Sequence, residues 1–230
     1  GAYRTLGGEW NPPYWQAERD LVWHAYQMGA YVEKVVIDSW SCKYSQAGKT
    51  AEAIIEYRNA AQLDARSGAA RLKLAAAYEA AGDPRALEEY VRAADLRGDD
   101  VELQLKAGNL LMVVGRFTDA LSRADAVLDK HDNHIAAHIL RGNALGGLNN
   151  LDDALDEMEE AIRLDRSRGA SYTQLGLVEF ARGKQAEAEA AFIRATELAP
   201  SDTGARLALA NFYWASNRLA DAGRILLAAV

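Results

Sequence analysis

Three asparagines recur at a regular spacing in this sequence of 230 residues and could bind a ligand. Asn109, Asn143 and Asn211 recur at intervals of 34 and 68 residues. A side-chain amide both donates and accepts hydrogen bonds, so a row of amides can pair with the main chain of an extended peptide. Alternatively, these amides bond the adjacent helix or are simply polar surface groups, and the sequence alone leaves both interpretations open.

Two further motifs lack the partners that catalysis or cofactor binding needs. Gly48-Lys49-Thr50 matches the end of a phosphate-binding loop, but Lys43 stands where that loop needs its first glycine, and the preceding segment is predicted to be helix rather than strand. Cys42 is the only cysteine, which excludes an intrachain disulfide and a four-cysteine zinc site. We expect a turn between helices at Gly48 and a passive thiol at Cys42.

Histidines and carboxylates also cluster without forming a recognisable site. His131, His134 and His138 approach the helical spacing of zinc ligands, but the first two fall in a predicted loop and no nearby glutamate completes a His-Glu-x-x-His motif. We expect solvated loop histidines there. The acidic run over residues 152–160 is typical of a solvated helix face. The sequence therefore predicts no catalytic residue, no metal site and no cofactor, in a protein that is not an enzyme.

Composition narrows the classes of partner. The net charge of −7 disfavours nucleic acid, because proteins that bind phosphate backbones usually carry a basic surplus. The sequence contains no apolar run of 18 residues, the minimum for a membrane span. Its first residues contain no apolar core of a secretory signal. We expect neither nucleic acid binding nor a membrane span.

The asparagines belong to a repeated element of about 34 residues. One alanine recurs at a spacing of 33 and then 34, at Ala53, Ala86, Ala120, Ala154, Ala188 and Ala222. A second small residue precedes it by eleven or twelve places: Ser41, Ala75, Gly108, Gly142, Gly176 and Ala210. A turn residue lies between the two: Gly48, Gly82, Gly115, Asn149, Gly183 and Asn217. The pattern predicts two amphipathic helices per unit, crossing at the small residues and separated by a left-handed turn residue.

Local motifs make the repeat more specific. Leu74-Ala75-x-x-Tyr78 and Leu209-Ala210-x-x-Tyr213 share a small-aromatic pattern, and Ala188-x-x-x-Phe192 precedes Pro200. These motifs resemble the tetratricopeptide repeat, of a type found in bacterial proteins of the cell envelope. The tryptophan expected early in each unit is replaced by Ile37, Arg71, Gln104, His138, Tyr172 and Arg206. The resemblance implies an all-α fold, a right-handed α-solenoid of stacked helix-turn-helix units with an extra N-terminal helix.

The predicted units cover most of the chain. Six repeats span residues 34–67, 68–100, 101–134, 135–168, 169–202 and 203–230. The second is one residue short around Asp83-Pro84, which predicts a tighter turn between its helices. Ile225, Leu226, Leu227 and Val230 would form an apolar end, so we expect a fragment of a longer array or, alternatively, an end covered by a partner copy.

Residues 1–33 do not follow the repeat and are rich in aromatic side chains. Pro12 and Pro13 are suited to the start of a helix, and a helix is predicted from Tyr14 to Met28, ended by Gly29. We expect this segment to form an aromatic cap on the first repeat. An arm that docks on another molecule and a vector-derived leader are the alternatives.

The resemblance also implies a function. In this family, residues two, five, nine and twelve of each unit line a concave groove, which here places Asn109, Asn143, Asn211, Leu105, Met112, Ile139, Leu177, Phe180, Leu207 and Trp214 in a peptide-binding groove. We expect a protein–protein interaction scaffold that binds an extended peptide. The alternative is a self-assembling homo-oligomer, joined through the N-terminal arm or the C-terminal end, in a bacterial envelope or secretion system. The bacterial cytoplasm and periplasm both remain open.

Overall fold

The computed structural model describes residues 50–227, and within this range the chain forms eleven α-helices and no strand. Predictions for the N-terminal segment, Cys42 and the Gly48 motif lie outside the described residues, as does Val230. The helices are α1 (Thr50–Leu63), α2 (Gly68–Ala80), α3 (Arg85–Leu96), α4 (Val101–Val113), α5 (Phe117–Leu128), α6 (Ile135–Gly147), α7 (Leu151–Leu164), α8 (Gly169–Ala181), α9 (Gln185–Leu198), α10 (Thr203–Ala215) and α11 (Leu219–Leu227).

The helices form two compact units that divide after Gly98. The described part of the first unit contains α1, α2 and α3, which pack in chain order. In the second unit, successive helices from α4 to α11 pack against one another. Helices α4, α6, α8 and α10 also lie side by side. The fold is an all-α solenoid of helix pairs, as the sequence predicted.

The turn residues inside the pairs adopt the predicted left-handed conformation. Their φ angles are 66° at Gly82, 76° at Gly115, 62° at Asn149, 79° at Gly183 and 59° at Asn217. The residue after each one donates its backbone N–H to the carbonyl five residues earlier, at 2.8–2.9 Å. This bond closes the C-terminal turn of the first helix and sends the chain back along it.

Small residues allow close contact between the helices. A Cβ at Gly142 would lie 2.5 Å from Met158 Cε, and a Cβ at Gly176 would lie 2.7 Å from the ring of Phe192. Four residues after the recurring alanine, the described repeats carry a large side chain: Tyr57, Tyr90, Met158, Phe192 and Leu226. The repeat of Gly108 differs, because the buried Ala124 takes that place. The side chain of Leu140, from the next repeat, lies against Gly108 instead. The one departure from the small-large pattern is therefore filled by a neighbouring unit.

The second repeat does not have the tighter turn that its length predicted. Asp83 N–H bonds the Tyr78 carbonyl at 2.8 Å, as Arg116 N–H bonds the Leu111 carbonyl at 2.9 Å in the next repeat. The turn therefore keeps its hydrogen bond, and the connection between the helices is one residue longer than in the next repeat, 81–84 against 114–116. The residue is missing from the start of α3, which begins one residue before Ala86, whereas α5 begins three residues before Ala120. Pro84 has no N–H to satisfy, which suits it to the first turn of a helix. The Asp83 side chain accepts the Arg85 N–H at 2.9 Å.

Candidate functional site

The predicted groove residues all lie on α4, α6, α8 and α10, within the second compact unit. Because these helices lie side by side and begin one repeat apart, residues at the same position form a row across them. Leu105, Ile139 and Leu207 belong to the fifth-residue row. The ninth-residue row contains Asn109, Asn143, Leu177 and Asn211, and the twelfth contains Met112, Phe180 and Trp214. We call the surface formed by the second, fifth, ninth and twelfth residues of these four helices the groove face.

Exposure of the apolar groove residues increases towards α10. Leu105 on α4 is buried, with 7% of its surface exposed, so it offers little area to a ligand. Ile139, Met112 and Phe180 are half-buried. Leu177 and Leu207 are about half exposed, and Trp214 is 69% exposed. The apolar surface available to a partner is therefore concentrated on α8 and α10.

The three asparagine side chains reach the surface of the groove face to different extents. Asn109 and Asn211 are exposed, and Asn143 is half-buried. Their amides make no hydrogen bond with any other residue of the range 50–227. The described part of the chain therefore gives no support to the interpretation that these amides pair with the adjacent helix.

Polar pairs that sequence reasoning missed occupy the position of the expected tryptophan. In the first unit, Arg71 Nη1 on α2 donates to Glu89 Oε2 on α3 at 3.0 Å. In the second unit, Arg123 Nη1 on α5 donates to Gln104 Oε1 on α4 at 3.2 Å. In both of these repeats, the pair joins the first helix to the second at the position of the expected tryptophan.

His138 belongs to the same class of pairs and has two acceptors. Its Nδ1 lies 2.7 Å from Glu157 Oε2, and its Nε2 lies 2.8 Å from the carbonyl oxygen of Asp132. Arg141 also donates to Glu157 through Nη1, and its Nε donates to Asp125 at 2.7 Å. The hydrogen bond to Asp125 raises the pKa of Arg141, so this guanidinium stays charged. The network joins α5, α6 and α7 across two repeats.

The sequence predicted solvated loop histidines, and this prediction is wrong for His138. His131 is exposed, but His134 precedes α6 and its Nδ1 accepts the Ala137 N–H at 3.3 Å. His138 is buried within α6, and both of its ring nitrogens lie within hydrogen-bond distance of a polar oxygen. Among residues 50–227, no three histidine, cysteine, aspartate or glutamate side chains come together in a way that could hold a metal ion. No helix in that range is long and apolar enough to cross a membrane.

Comparison with known families identifies the repeat. The model of the family described as tetratricopeptide repeat matches residues 105–171 and 173–230. These two segments cover more than half of the chain and include the whole groove face except the start of α4.

Individual relatives share only part of their length with this chain. The probable UDP-N-acetylglucosamine–peptide N-acetylglucosaminyltransferase SPINDLY of Arabidopsis thaliana is 33% identical over 40% of the chain, but the match covers 10% of that protein. Tetratricopeptide repeat protein 36 of Homo sapiens is 29% identical over 60% of the chain and 71% of its own length. The solved structure of MamA from Desulfovibrio magneticus RS-1 is similar at a TM-score of 0.62 and 20% identity, over 76% of this chain and 98% of that one.

Proposed function

The chain belongs to the tetratricopeptide repeat family, whose members are typically non-catalytic scaffolds for protein–protein interaction, and we propose that its groove face binds an extended segment of another protein. Three amides on this face have no partner among the described residues, and exposed apolar side chains lie next to them. The match to SPINDLY covers a small part of that enzyme, so its transferase activity is not carried over to this chain.

The observation that carries the proposal is the arrangement of Asn109, Asn143 and Asn211. They occupy the same position on α4, α6 and α10, and their amides are available to pair with carbonyl and N–H groups of a bound main chain. On α8 the position is taken by Leu177, so the row has an apolar place between two amides. Met112, Phe180 and Trp214 lie one helical turn further along the same helices and would contact the side chains of the segment.

The proposal can be tested with a random peptide library displayed on phage. Peptides selected on the wild-type protein would be synthesised with a fluorophore, and their affinity measured by polarisation. The variant that combines Asn109→Ala, Asn143→Ala and Asn211→Ala should bind roughly a hundredfold more weakly, because three hydrogen bonds of about 1 kcal/mol each are lost. Asn59→Ala, an exposed asparagine on α1, is the matched control and should leave the affinity unchanged.

Two outcomes would contradict the proposal. If the triple variant keeps its helical circular dichroism and its full affinity, the amides do not hold the peptide. If no peptide is enriched on the wild-type protein, then the groove face does not bind extended segments.

Self-association is the second candidate function, and exposed leucines on α11 favour it. Leu219, Leu226 and Leu227 are 60%, 48% and 79% exposed, which is unusual for large apolar side chains on one short helix. Sedimentation velocity at several concentrations tests it, with Leu227→Glu as the variant that should weaken association. A wild-type protein that stays monomeric at high micromolar concentration would rule out this function. A role in a bacterial envelope or secretion system remains a prediction.

A further inference from the structure

Gly146 leaves a gap in a row of large side chains. The twelfth residue of the helix is Met112 on α4, Phe180 on α8 and Trp214 on α10, but on α6 it is Gly146. A Cβ built on Gly146 would have no atom of the described residues within 4 Å. The twelfth-residue row therefore contains open space over α6, with a large side chain on the helix at either side.

Packing within the described residues does not require this glycine. At the adjacent Gly147, a Cβ would lie 2.5 Å from the ring of Phe117, so that position tolerates no larger residue without a shift. Gly146 has no such neighbour, although glycine is among the least favourable residues in a helix. Packing of the described residues therefore gives no reason for glycine here, whereas an occupant of the open space would give one.

The residues around the gap suit an apolar side chain on an extended segment. Asn143 lies one turn away on the same face of α6, where its amide can hold the main chain beside the gap. Met112 has a flexible thioether that adapts to different shapes. The Phe180 ring is held by an edge-to-face contact with Phe212, with a centroid distance of 5.6 Å. Met112, on one side of the gap, can therefore adapt to an occupant, whereas Phe180, on the other side, is held in place.

Charge narrows the occupant further. Charged residues make up 26% of the chain, but none of the twelve groove-face residues on α6, α8 and α10 is charged. These twelve are Ala136, Ile139, Asn143, Gly146, Ala170, Thr173, Leu177, Phe180, Gly204, Leu207, Asn211 and Trp214. The one charge of the groove face is Glu102 at the start of α4. On the other three helices a charged segment would lose hydration and find no opposite charge. An uncharged, apolar segment would lose little and would cover the exposed leucines and Trp214.

We propose that the gap over Gly146 is a specificity pocket, which takes one large apolar side chain (Leu, Met, Phe or Trp) of an extended, uncharged segment of a partner protein. This rests on the proposed function, because the amides of the groove face hold the main chain of the same segment. The large side chain is the anchor residue, and Asn143 aligns it with the gap.

The test uses peptides selected from the phage library on the full chain. We expect them to share one large apolar residue and to carry few charges. Replacing that residue with alanine should weaken binding about tenfold or more. Gly146→Leu, which fills the gap, should weaken binding of the parent peptide by a similar factor. Gly223→Leu on α11, where a Cβ also meets open space, is the matched control and should change nothing.

A measurement on the wild-type protein keeps the proposal testable even if Gly146→Leu folds poorly. In protein labelled with 13C at its methionine methyl groups, the Met112 signal should shift when the parent peptide binds and move less with the alanine peptide. Met158, which is fully buried, is the internal control and should stay in place.

Three results would overturn the pocket, and they are distinguishable from failure of the proposed function. Full affinity of Gly146→Leu, with binding still lost in the triple asparagine variant, would leave peptide binding intact and remove the pocket. Enriched peptides that are charged or share no large residue would do the same. If no peptide binds but Gly146→Leu abolishes self-association, the occupant is a second copy of the chain, and both proposals are wrong as stated.

Discussion

Glu157 lies within hydrogen-bond distance of two side chains of α6, His138 and Arg141, and so joins both of them to α7. Its side chain is 13% exposed and that of His138 is 11% exposed. Removing Glu157 would leave His138 Nδ1 without its partner in a nearly buried place, which is costly. It would also remove one partner of Arg141, whose side chain is 36% exposed. Arg141 would keep its bond to Asp125, so the loss falls mainly on the histidine.

A double-mutant cycle tests this network, and the chain itself supplies the replacement. At the equivalent positions, the fifth repeat carries Tyr172 and Ala191. Glu157→Ala and His138→Tyr should each lower the free energy of unfolding by about 2 kcal/mol, because each leaves a polar partner unmatched. The double variant should recover at least about 1 kcal/mol of the summed loss. Urea denaturation measures this, and additive effects would show that the pair is not coupled.

Two glycines on the first helices of neighbouring repeats should respond to alanine in opposite ways. Gly176→Ala places a methyl group against the buried ring of Phe192 and should destabilise the protein by about 1–3 kcal/mol. Gly146→Ala adds a methyl group in open space on a helix and should stabilise it by up to about 1 kcal/mol. Thermal melts of both variants test the contrast. If both variants change the melting temperature in the same direction and by the same amount, the space around these two glycines differs from that described.

The residues of the groove face could be named from the sequence, but their exposure could not. Periodicity placed Leu105 and Leu207 in one row, yet only Leu207 is well exposed, because burial depends on how neighbouring helices pack. Gly146 was missed because a search for recurring residue types does not notice a missing side chain. The Arg71–Glu89 and His138–Glu157 pairs were missed because each position was compared with its equivalents rather than with its partner in the same repeat.

Helix ends are the elements that the sequence specified best. The left-handed turn residues followed from Gly and Asn alone, because few other residues adopt a positive φ without strain. The start of α3 could not be predicted in the same way. A missing residue can shorten either a turn or a helix, and the hydrogen bond from Asp83 to Tyr78 keeps the turn intact.

Asp83 gives the start of α3 a dependence on pH. The hydrogen bond from the Arg85 side chain, followed by that from its backbone N–H, lowers the Asp83 pKa from 3.8 to about 2. A carboxylate with a lowered pKa stabilises the folded state fully above its unfolded pKa, and the effect is lost as the pH falls from about 4 to about 2. The difference in melting temperature between wild type and Asp83→Asn should therefore shrink over that range.

A control separates this effect from general acid destabilisation. Asp156→Asn removes an exposed carboxylate of α7 that has no hydrogen-bond partner among the described residues. It should not reproduce the narrowing seen with Asp83→Asn between pH 4 and 2. If the melting temperatures of both variants stay parallel to that of the wild type between pH 4 and 2, protonation of Asp83 does not affect the stability of the fold.

The second unit is held together by contacts between successive helices. Each of its helices packs against its neighbours in the chain, so stability should accumulate by nearest-neighbour contacts rather than through one central core. Met158 and Phe192 are fully buried on α7 and α9, whereas on α11 only Ala222 is buried. Amide hydrogen exchange should therefore be slowest in α7 and α9 and faster in α11.

Exchange measured by mass spectrometry would check this gradient under native conditions. The expected result is stepwise protection that falls from α9 to α11. Uniform protection across α4–α11, lost in a single step on adding denaturant, would contradict nearest-neighbour stability and indicate one cooperative unit.

The network around Glu157 also affects which helices pair when the repeats of one chain are similar to one another. Helices of one repeat could dock on the wrong neighbour, within the chain or between two chains, since their apolar faces are much alike. If α6 packed against α9 instead of α7, His138 would meet Ala191 at the position of Glu157 and lose its carboxylate. Within the second unit, Glu157 is the only carboxylate at this position of a second helix, because α5, α9 and α11 carry Arg123, Ala191 and Ile225 there. The pair with His138 therefore distinguishes α7 from the other second helices of that unit.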